Sequence, residues 1–536
     1  MASDGGATET ELKLKATPET LAKLRQAPLF AARGAGRAVA KNLFSVYYDT
    51  AERALQSRLA TLRVRKIGDK GDKFVQTLKS AALEPGGLTR SEWEWPVAGP
   101  HPDLSVIVEA EALALLGPVS ADQLQPMFES VVKRAIRMVG GEGQRIEVAF
   151  DTGELRAGEG AVTALSELEL ELKEGEPAAL FALALEIAKL APVRLETRTK
   201  AARGFALAAG LADDGWSKAD KLELTPSMTV EAALCGIFRN GLNHFAANDA
   251  CALAGVEPEG VHQMRVALRR LRSAASLFRR FIPTDRYAWL TGELRWLAGS
   301  LGPARDWDVF LSELVAPVRA GLGQGAALAD DLTALEAAAE AKRRAAYQGV
   351  AATIQSERYG LFQVALAGWV EARGWRAQPV SEASVKLFAP IGELADSLLD
   401  KRMRRARRTG RGFAKLAAVQ RHELRIALKK LRYAADFFRG LYDEKTTRRF
   451  VAQLASLQDA LGHLNDVATA SRLIQSLHND GTVAPAAEAR AAGLVVGWHA
   501  RGLAESEPQL VAAWESFVDV KPFWAKPAAP EQEACA

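Results

Sequence analysis

Charged and apolar residues alternate with a period of two in two distant segments of the chain. Residues 9–13 read Glu-Thr-Glu-Leu-Lys, and residues 167–173 read Glu-Leu-Glu-Leu-Glu-Leu-Lys. Because alternate side chains of a β-strand share a face, each run predicts a strand with a row of carboxylates on one face, ending in a lysine, and leucines on the other. Like charges on one buried face are unfavourable unless a cation lies among them, and a divalent metal ion is the simplest candidate. Metal-dependent chemistry is therefore the first hypothesis.

A competing interpretation needs no metal. Each run could be an amphipathic strand with a solvated acidic face, as is common in antiparallel sheets that cover a core on one side. The segment between the runs favours the first hypothesis, because it places further charged side chains on shared strand faces and contains a turn-rich stretch, residues 68–72, that suits a hairpin. These charged side chains are Arg63, Arg65, Lys79, Arg90, Glu92 and Glu94. A closed barrel with a charged interior would gather the acidic and basic rows in one lumen.

Six short motifs in this part of the chain follow one another in a characteristic order. They are Glu9-x-Glu11-x-Lys13, Tyr47-Tyr48-Asp49-Thr50, Leu62-Arg63-Val64-Arg65, Gln76-Thr77-Leu78-Lys79, Glu147–Gly153 and Glu167–Glu171. Together they resemble the CYTH family, the triphosphate tunnel metalloenzymes, over about the first 205 residues. The resemblance implies an eight-stranded antiparallel tunnel that holds a linear triphosphate, with one or two Mg²⁺ or Mn²⁺ ions as cofactors.

The resemblance also implies roles for individual residues. The implied metal ligands are Glu9, Glu11, Asp151, Glu167 and Glu169. The implied substrate contacts are Lys13, Arg63, Arg65, Lys79, Arg134, Arg137 and Lys200, where the register leaves the choice between Arg134 and Arg137 open. The implied catalytic group is Glu9, Glu11, Lys13 and Glu169.

Such a set suits the chemistry of a triphosphate, whose charge must be neutralised while water attacks in line. Arginine binds phosphate through its planar fork and lysine acts as a point charge, while carboxylates hold the metal. The three cysteines and seven histidines of the chain lie mostly outside this segment. Attack by water is therefore favoured over a covalent phosphoenzyme.

The second half of the chain contains an internal duplication. Residues 261–272 are echoed by residues 421–432, an offset of 160 positions, and the same offset superposes residues 301–306 on 461–466. A repeat of this length predicts two related helical halves that pack together. We interpret the shorter pair of blocks, Leu-Gly-x-x-Arg-Asp and Leu-Gly-x-x-Asn-Asp, as turns that follow the longer blocks.

Each longer block has a basic stripe and an apolar stripe when it is placed on a helix. The basic stripes are His262, Arg265, Arg269 and Arg272 in the first block and His422, Arg425, Lys429 and Arg432 in the second. An ordinary solvated helix face normally mixes charges of both signs, whereas these stripes contain almost no acid. Residues 401–408 add a further dense basic run. A polyanionic ligand is the favoured interpretation.

These helices resemble the CHAD family, all-α domains of two related helical bundles, from about residue 225 to about residue 523. The resemblance implies binding of inorganic polyphosphate. One histidine per helix does not form a ligand cluster of the usual zinc spacing. Nucleic acid is a weaker candidate partner, because the stripes lack interleaved aromatic residues that stack bases.

Composition agrees with two sizeable domains, since 48% of the 536 residues are hydrophobic. The net charge of +4 conceals the separation of carboxylate rows from basic helices. Three cysteines do not form a disulfide framework, the N-terminus lacks the features of a secretion signal, and no apolar run is long enough to span a membrane. The expected location is the cytoplasm, where the protein could associate with polyphosphate granules.

The predicted organisation is a tunnel domain at residues 1–210, a linker at 211–224 and a helical domain at 225–523, whose halves are about 225–375 and 384–523. A disordered tail is predicted at 524–536. The expected activity is hydrolysis of inorganic triphosphate to pyrophosphate and phosphate, with polyphosphate bound by the helical domain. The alternatives are nucleoside- or thiamine-triphosphate processing in the same tunnel, including adenylyl cyclase chemistry, or a polyphosphate-binding protein without enzymatic activity. The preferred metal and the oligomeric state stay open.

Overall fold

The computed structural model describes residues 7–34, 36, 38–68, 73–82, 87–141, 143–158, 160–322, 328–479 and 485–525. This part of the chain contains nine β-strands. They are β1 (Ala7–Lys15), β2 (Val39–Asp49), β3 (Thr61–Ile67), β4 (Phe74–Ala82), β5 (Thr89–Val97), β6 (Gln125–Gly141), β7 (Gln144–Ala157), β8 (Ala161–Glu174) and β9 (Arg194–Leu195).

Eight of these strands close into an antiparallel barrel. The strand order is β5-β4-β3-β2-β6-β7-β8-β1, and β1 closes the ring because it pairs with β8 through residues 11–15 and with β5 through residues 7–10. The short strand β9 adds to the end of β1. The predicted eight-stranded antiparallel tunnel is confirmed, and β3 and β4 form the predicted hairpin, whose loop residues 69–72 lie outside the described residues.

Strand alternation separates the leucine rows from the charged rows. Leu14, Leu168 and Leu170 are fully buried on the outer face of the barrel, where α5 (Ala178–Ala188) packs against β1 and β8. The glutamates and lysines between them therefore face the lumen. The interpretation of solvated acidic faces over a leucine core is wrong for these two strands.

A short helix, α6 (Lys200–Ala208), packs against the wall of the barrel. The Thr199 side chain caps its N-terminus by accepting a hydrogen bond from the amide of Ala202. The ring of Phe205 meets Phe128 edge-on, and a Cβ atom at Gly204 would lie 2.0 Å from Phe128 Cε2. This close approach places the first residue of α6, Lys200, against the strands.

The remaining helices lie before, between and after the strands. Those before α5 are α1 (Pro18–Arg25), α2 (Pro28–Ala32), α3 (Ala54–Ser57) and α4 (Ala110–Leu116). Those after α6 are α7 (Val230–Ala247), α8 (Asp249–Ala254), α9 (Pro258–Leu277), α10 (Thr284–Val309), α11 (Ala316–Leu322), α12 (Ala329–Ile354), α13 (Glu357–Glu371), α14 (Glu382–Val385), α15 (Ile391–Thr409), α16 (Ala418–Phe438), α17 (Glu444–Asn479) and α18 (Pro485–Val518). None of the helices in the described ranges is both long and apolar enough to cross a bilayer.

The chain packs as two compact units that do not follow the domain division predicted from the sequence. The first, which we call the barrel unit, contains Met1–Ala219, Arg239–Ala267 and Ala351–Gly374. The second, the helical unit, contains Asp220–Phe238, Leu268–Val350 and Trp375–Ala536. Helix α13 belongs to the barrel unit because it packs against α5 and β9.

The duplicated blocks lie on helices, as predicted, but the shorter blocks are not turns. The longer blocks lie in α9 and α16, and their apolar stripes are buried, including Met264 and Leu271 in α9. Residues 301–306 and 461–466 instead continue the long helices α10 and α17. In α10 the helix passes through Pro303 and buries Leu301 and Ala304, so core packing outweighs the missing proline N–H.

The structure also differs from the prediction at the start of the tail. Trp524 is buried, and its Nε1–H donates to Asp400 Oδ1 at 2.7 Å. The packed chain therefore extends past Phe523, and residues 526–536 of the predicted tail lie outside the described residues.

Candidate active site in the tunnel

A cavity of about 670 Å³ includes the lumen of the barrel and continues to side chains of α5, α7 and α13. This volume lies within the usual range for small-molecule sites. Nine of the residues predicted for the site line it, from five different strands and α6. They are Glu9, Glu11, Lys13, Arg63, Arg65, Lys79, Arg134, Glu169 and Lys200.

Basic side chains dominate one arc of the tunnel wall, which we call the basic arc. It consists of the adjoining strands β5, β4, β3, β2 and β6, and its cations are Arg90, Lys79, Arg63, Arg65, Lys41 and Arg134. Burial and the adjacent guanidinium groups of Arg63 and Arg134 lower the pKa of Arg65 to about 10. The Nε atoms of Arg63 and Arg90 are buried without a hydrogen-bond partner among the described residues. The arc therefore has unused capacity for an anion.

Carboxylates dominate the opposite arc, formed by β7, β8 and β1, which we call the acidic arc. The strand register places Glu147, Glu171 and Glu11 directly beside one another across these three strands. Like charges in directly opposed positions destabilise a sheet. Burial, followed by the charge of Glu169, raises the pKa of Glu11 from 4.5 to about 7. Burial also raises the pKa of Glu171, where Glu9 and Glu147 add to the effect.

Lysines partly compensate the acidic arc. The Nζ of Lys13 donates to Glu11 Oε2 at 2.6 Å, and the Nζ of Lys79 donates to Glu9 Oε2 at 2.6 Å. Burial raises the pKa of Glu9, but the charge and hydrogen bond of Lys79 together with the charges of Lys13 and Arg90 outweigh burial, so that the net shift is downward. Glu9 is therefore ionised at neutral pH, whereas the pKa of Glu11 lies close to neutral pH.

A different arrangement surrounds Lys200, in what we call the lysine cluster. Asp151, Glu167 and Glu169 are 0%, 1% and 7% exposed, and carboxylate oxygens from all three lie within 4.8 Å of one another. The Nζ of Lys200 lies 2.8 Å from Asp151 Oδ2 and 2.6 Å from both Glu167 Oε1 and Glu169 Oε1. Arg134 donates to Asp151 at 2.8 and 2.6 Å and also to Glu169. These carboxylates are already neutralised by protein cations.

Three predicted site residues do not line the cavity. Asp151 and Glu167 lie behind Lys200 in the lysine cluster. Arg137 lies on the other face of β6, where its guanidinium donates to the backbone carbonyls of Gly36 and Arg25. Of the two alternatives, Arg134 lines the cavity and Arg137 does not.

The predicted basic stripes of the helical segment are divided between the two packing units. His262 and Arg265 belong to the barrel unit, whereas Arg269, Arg272, His422, Arg425, Lys429 and Arg432 belong to the helical unit. In the helical unit, Arg269 Nε donates to Tyr433 Oη at 2.9 Å, and Arg432 Nη1 donates to Gln458 Oε1 at 3.4 Å. Burial and the nearby charge of Arg269 lower the pKa of Arg425, although Asp466 opposes the shift.

A second cavity, of about 720 Å³, lies in the helical unit and is strongly basic. We call it the basic cleft. Its cations come from α15 and α16 and are Lys401, Arg402, Arg404, Arg405, Arg408 and Lys430. Burial, followed by the charges of Arg402 and Arg272, lowers the pKa of Lys430. The cleft contains none of the eight stripe residues, although residues 401–408 stand out in the sequence as a basic run.

Comparison with known protein families agrees with this architecture. Residues 7–205 match the family model of the CYTH domain, and residues 236–475 match that of the CHAD domain. The chain carries a CYTH domain followed by a CHAD domain. An inorganic triphosphatase from Haemophilus influenzae is 28% identical over 170 residues, which cover 31% of this chain and 47% of the relative. The chain thus spans about half the length of this curated relative.

Solved structures also resemble parts of the chain. The CHAD domain from the plant Ricinus communis is 28% identical and covers 57% of this chain and 98% of its own, with a TM-score of 0.49. PptA from Streptomyces chartreusis is 20% identical and covers 54% of this chain and all of its own (100%), with a TM-score of 0.41.

Several residues that line the tunnel were not assigned to the site from the sequence, although some were noticed there. Lys41 and Tyr47 line the cavity from the same face of β2. The ring of Tyr47 stacks on that of Phe128, with the ring centroids 4.3 Å apart. Arg90 and Glu92 line the cavity from β5, where their alternation with Glu94 was the available signal. The motif residue Asp49 has a structural role instead, because its carboxylate accepts hydrogen bonds from the amides of Thr50, Leu55 and Gln56.

Proposed function

We propose that the CYTH domain hydrolyses inorganic triphosphate to pyrophosphate and phosphate with the help of a divalent cation, Mg²⁺ or Mn²⁺. The observation that carries this proposal is the division of one enclosed wall into a basic arc and an acidic arc. A linear polyanion suits the first arc and a cation suits the second. The similarity to an inorganic triphosphatase over part of the chain supports the choice of substrate.

The donor atoms of the tunnel fit a hard divalent cation, since carboxylate oxygens are its preferred ligands. Glu9, Glu11 and Glu171 are the favoured ligands, because they line the cavity and because burial, together with neighbouring carboxylates, raises the pKa values of Glu11 and Glu171. Asp151, Glu167 and Glu169 are less suited, because Lys200 already contacts all three. A bound Mg²⁺ or Mn²⁺ would act as a Lewis acid that neutralises phosphate oxygens.

The chain's own residues would bind and orient the substrate. Arg63, Arg65 and Arg90 can each bind phosphate oxygens through a planar fork, and Lys79 adds a point charge. Lys13 and Lys200 line the same cavity and contact carboxylates of the acidic arc, and there they can stabilise charge on a departing phosphate. Arg63, Lys79 and Arg90 are largely buried, which strengthens their interactions with an anion relative to those in bulk water.

Organic triphosphates are the second candidate substrates. The same cavity is also lined by apolar side chains, among them Phe181, Phe205 and Val370, which could contact a base or a thiazole ring. Side-by-side measurement of phosphate release from tripolyphosphate, ATP and thiamine triphosphate, with and without Mg²⁺ or Mn²⁺, tests the proposal. Fastest turnover of tripolyphosphate is expected, and a preference for either organic substrate would overturn the choice.

A variant pair on the tunnel strands tests the role of the acidic arc. Glu11→Gln should reduce metal-stimulated turnover at least about tenfold, since it removes one charged ligand. Glu174→Gln is the matched control, because Glu174 lies on β8 but is exposed and pairs with Arg145 on the surface. Equal metal stimulation in the two variants would contradict a metal site at Glu11.

We further propose that the CHAD domain binds inorganic polyphosphate. The basic cleft supports this proposal, because its clustered cations repel one another in the absence of an anion. Arg404→Gln with Arg405→Gln should weaken polyphosphate binding in a filter assay and make it less dependent on salt. Arg448→Gln with Arg501→Gln, which changes two exposed arginines of α17 and α18, is the control. Equal affinity of the two double variants, or full competition by single-stranded RNA, would contradict the proposal.

A further inference from the structure

The strand β9 connects the tunnel to a helix that lies far along the chain. Its residues pair with the end of β1, as Leu195 lies opposite Leu14 and Arg194 lies opposite Lys15. Beyond the strand, the amide of Glu196 donates to the backbone carbonyl of Lys13 at 3.0 Å. The backbone position of Lys13, a proposed substrate contact, is therefore set partly by the segment 194–196.

The same segment leads directly into the lysine cluster. Five residues after Leu195 the chain reaches Lys200, whose Nζ contacts Asp151, Glu167 and Glu169. A displacement of β9 would therefore move two lysines of the tunnel, one through a backbone hydrogen bond and one through the chain itself.

Helix α13 holds β9 in place from the other side. The Oε1 atom of Gln363 accepts a hydrogen bond from the amide of Leu195 at 2.9 Å, and this bond is buried. A Cβ atom at Gly360 would lie 2.0 Å from the carbonyl oxygen of Val193, so the helix backbone lies directly against the chain before β9. Arg194 adds an ion pair with Asp249 of α8, in which Arg194 Nη1 lies 2.9 Å from Asp249 Oδ1.

The side chain of Gln363 is itself unusual for a purely packing residue. It is 0% exposed, and its Nε2 atom has no hydrogen-bond partner among the described residues. Burying a polar amide with one group unsatisfied costs free energy, which the bond to Leu195 must offset. The role of Gln363 is therefore to accept the hydrogen bond of the Leu195 amide through its Oε1 atom.

We infer that Gln363 is a positioning residue for Lys13 and Lys200, so that a helix encoded within the CHAD region sets the geometry of the CYTH tunnel. This inference rests on the proposed function, because it assigns both lysines to the binding of triphosphate. Loss of the acceptor leaves the Leu195 amide buried and unsatisfied, and β9 must shift to reach another partner.

The experiment uses the full chain and three variants. Gln363→Met has a similar volume but no acceptor, and Gln363→Glu keeps an acceptor whether its carboxyl is ionised or protonated. Gln355→Met makes the same change at an exposed glutamine that precedes α13 and is the matched control. Steady-state kinetics with tripolyphosphate and hydrogen exchange of peptides covering residues 9–17 and 190–205 are measured for each.

Gln363→Met should raise KM for tripolyphosphate about tenfold, the equivalent of one lost buried hydrogen bond, and should speed exchange in both peptides. Gln363→Glu and Gln355→Met should keep KM within about twofold of the original protein. A merely destabilised protein has fewer active molecules, which lowers kcat but leaves KM unchanged. An unchanged KM in Gln363→Met would therefore overturn the inference, even if kcat fell.

The outcomes separate this inference from the proposed function. If the original protein does not turn over tripolyphosphate, the proposed function fails, and the exchange data alone judge whether Gln363 positions β9. In that case, unchanged exchange of both peptides in Gln363→Met would overturn the inference, and faster exchange in both would support it.

Discussion

Replacing Lys200 by methionine should convert the lysine cluster into a group of mutually repelling carboxylates. The ammonium of Lys200 lies 2.6–2.8 Å from an oxygen of Asp151, Glu167 and Glu169. Methionine fills a similar volume but carries no charge. Arg134, Arg203 and Lys13 would remain as the cations in contact with the three carboxylates.

The expected loss of unfolding free energy is about 3–5 kcal/mol at pH 8, the range for breaking a buried ion pair by removing one partner. The loss should depend on pH. Burial raises the pKa of Glu169, but Lys200 and Arg134 together lower it well below its ordinary value. A carboxyl with a lowered pKa stabilises the fold at pH values above the ordinary pKa of 4.5, and this contribution is lost as the pH falls. The difference in unfolding free energy between the original protein and Lys200→Met should therefore narrow below pH 4.5.

Urea titration followed by hydrogen exchange of peptides from β7 and β8 reports on the barrel unit alone, which matters because a chain with two packing units need not unfold in one step. Lys133→Met, at an exposed lysine of β6, controls for the loss of a lysine. A loss below about 1 kcal/mol at pH 8, or a loss that grows as the pH falls, would refute the electrostatic account of the cluster.

Three further variants have separate expectations. Arg65→Gln should lower the unfolding free energy of the ligand-free protein by less than about 1 kcal/mol, because the relief of repulsion from Arg63 offsets most of the loss. The same change should weaken tripolyphosphate binding about tenfold in calorimetry. Glu11→Gln should stabilise the metal-free barrel at pH 8 by up to about 3 kcal/mol and should not stabilise it at pH 4. The reason is that the pKa of Glu11 is raised from 4.5 to about 7, so that the glutamate costs stability as the pH rises above 4.5. Equal urea midpoints of the two proteins at pH 8 would contradict this. Gly204→Ala should cost about 1–3 kcal/mol in thermal unfolding, since its Cβ would lie 2.0 Å from Phe128.

Much of the barrel could be predicted because charged and apolar residues alternate along its strands, which distinguishes the two faces of each strand. Residues 9–13 and 167–173 alternate strictly; Leu12, Leu168 and Leu170 of one face are buried, and all the charged residues of the other face except Glu167 line the tunnel. Arg63, Arg65 and Lys79 could be identified for the same reason. In each case the local period of two is enough to orient the side chain.

The parts that failed depend on contacts between distant segments. The run from Val131 to Arg137 in β6 has no strict alternation, so its facing is decided by pairing with β2 and β7. The neutralisation of Asp151 and Glu167 depends on α6, which packs through Phe205 and Gly204 and brings Lys200 to them. The membership of α13 in the barrel unit rests on Gly360 and Gln363, whose partners lie more than 160 residues away. No local pattern carries such information.

The two arcs of the tunnel also explain why a substrate and a metal should bind together. In the absence of ligands, Arg65 in the basic arc is buried beside the like charges of Arg63 and Arg134, and Glu11 in the acidic arc is buried beside those of Glu169 and Glu9. A cation alone relieves only the second repulsion and a triphosphate alone only the first. When both are present, each ligand also neutralises the charge that the other brings into a low-dielectric lumen. If the proposed function holds, the free energy of binding both should therefore exceed the sum of the separate values, and by thermodynamic linkage each ligand should raise the affinity of the other by the same factor.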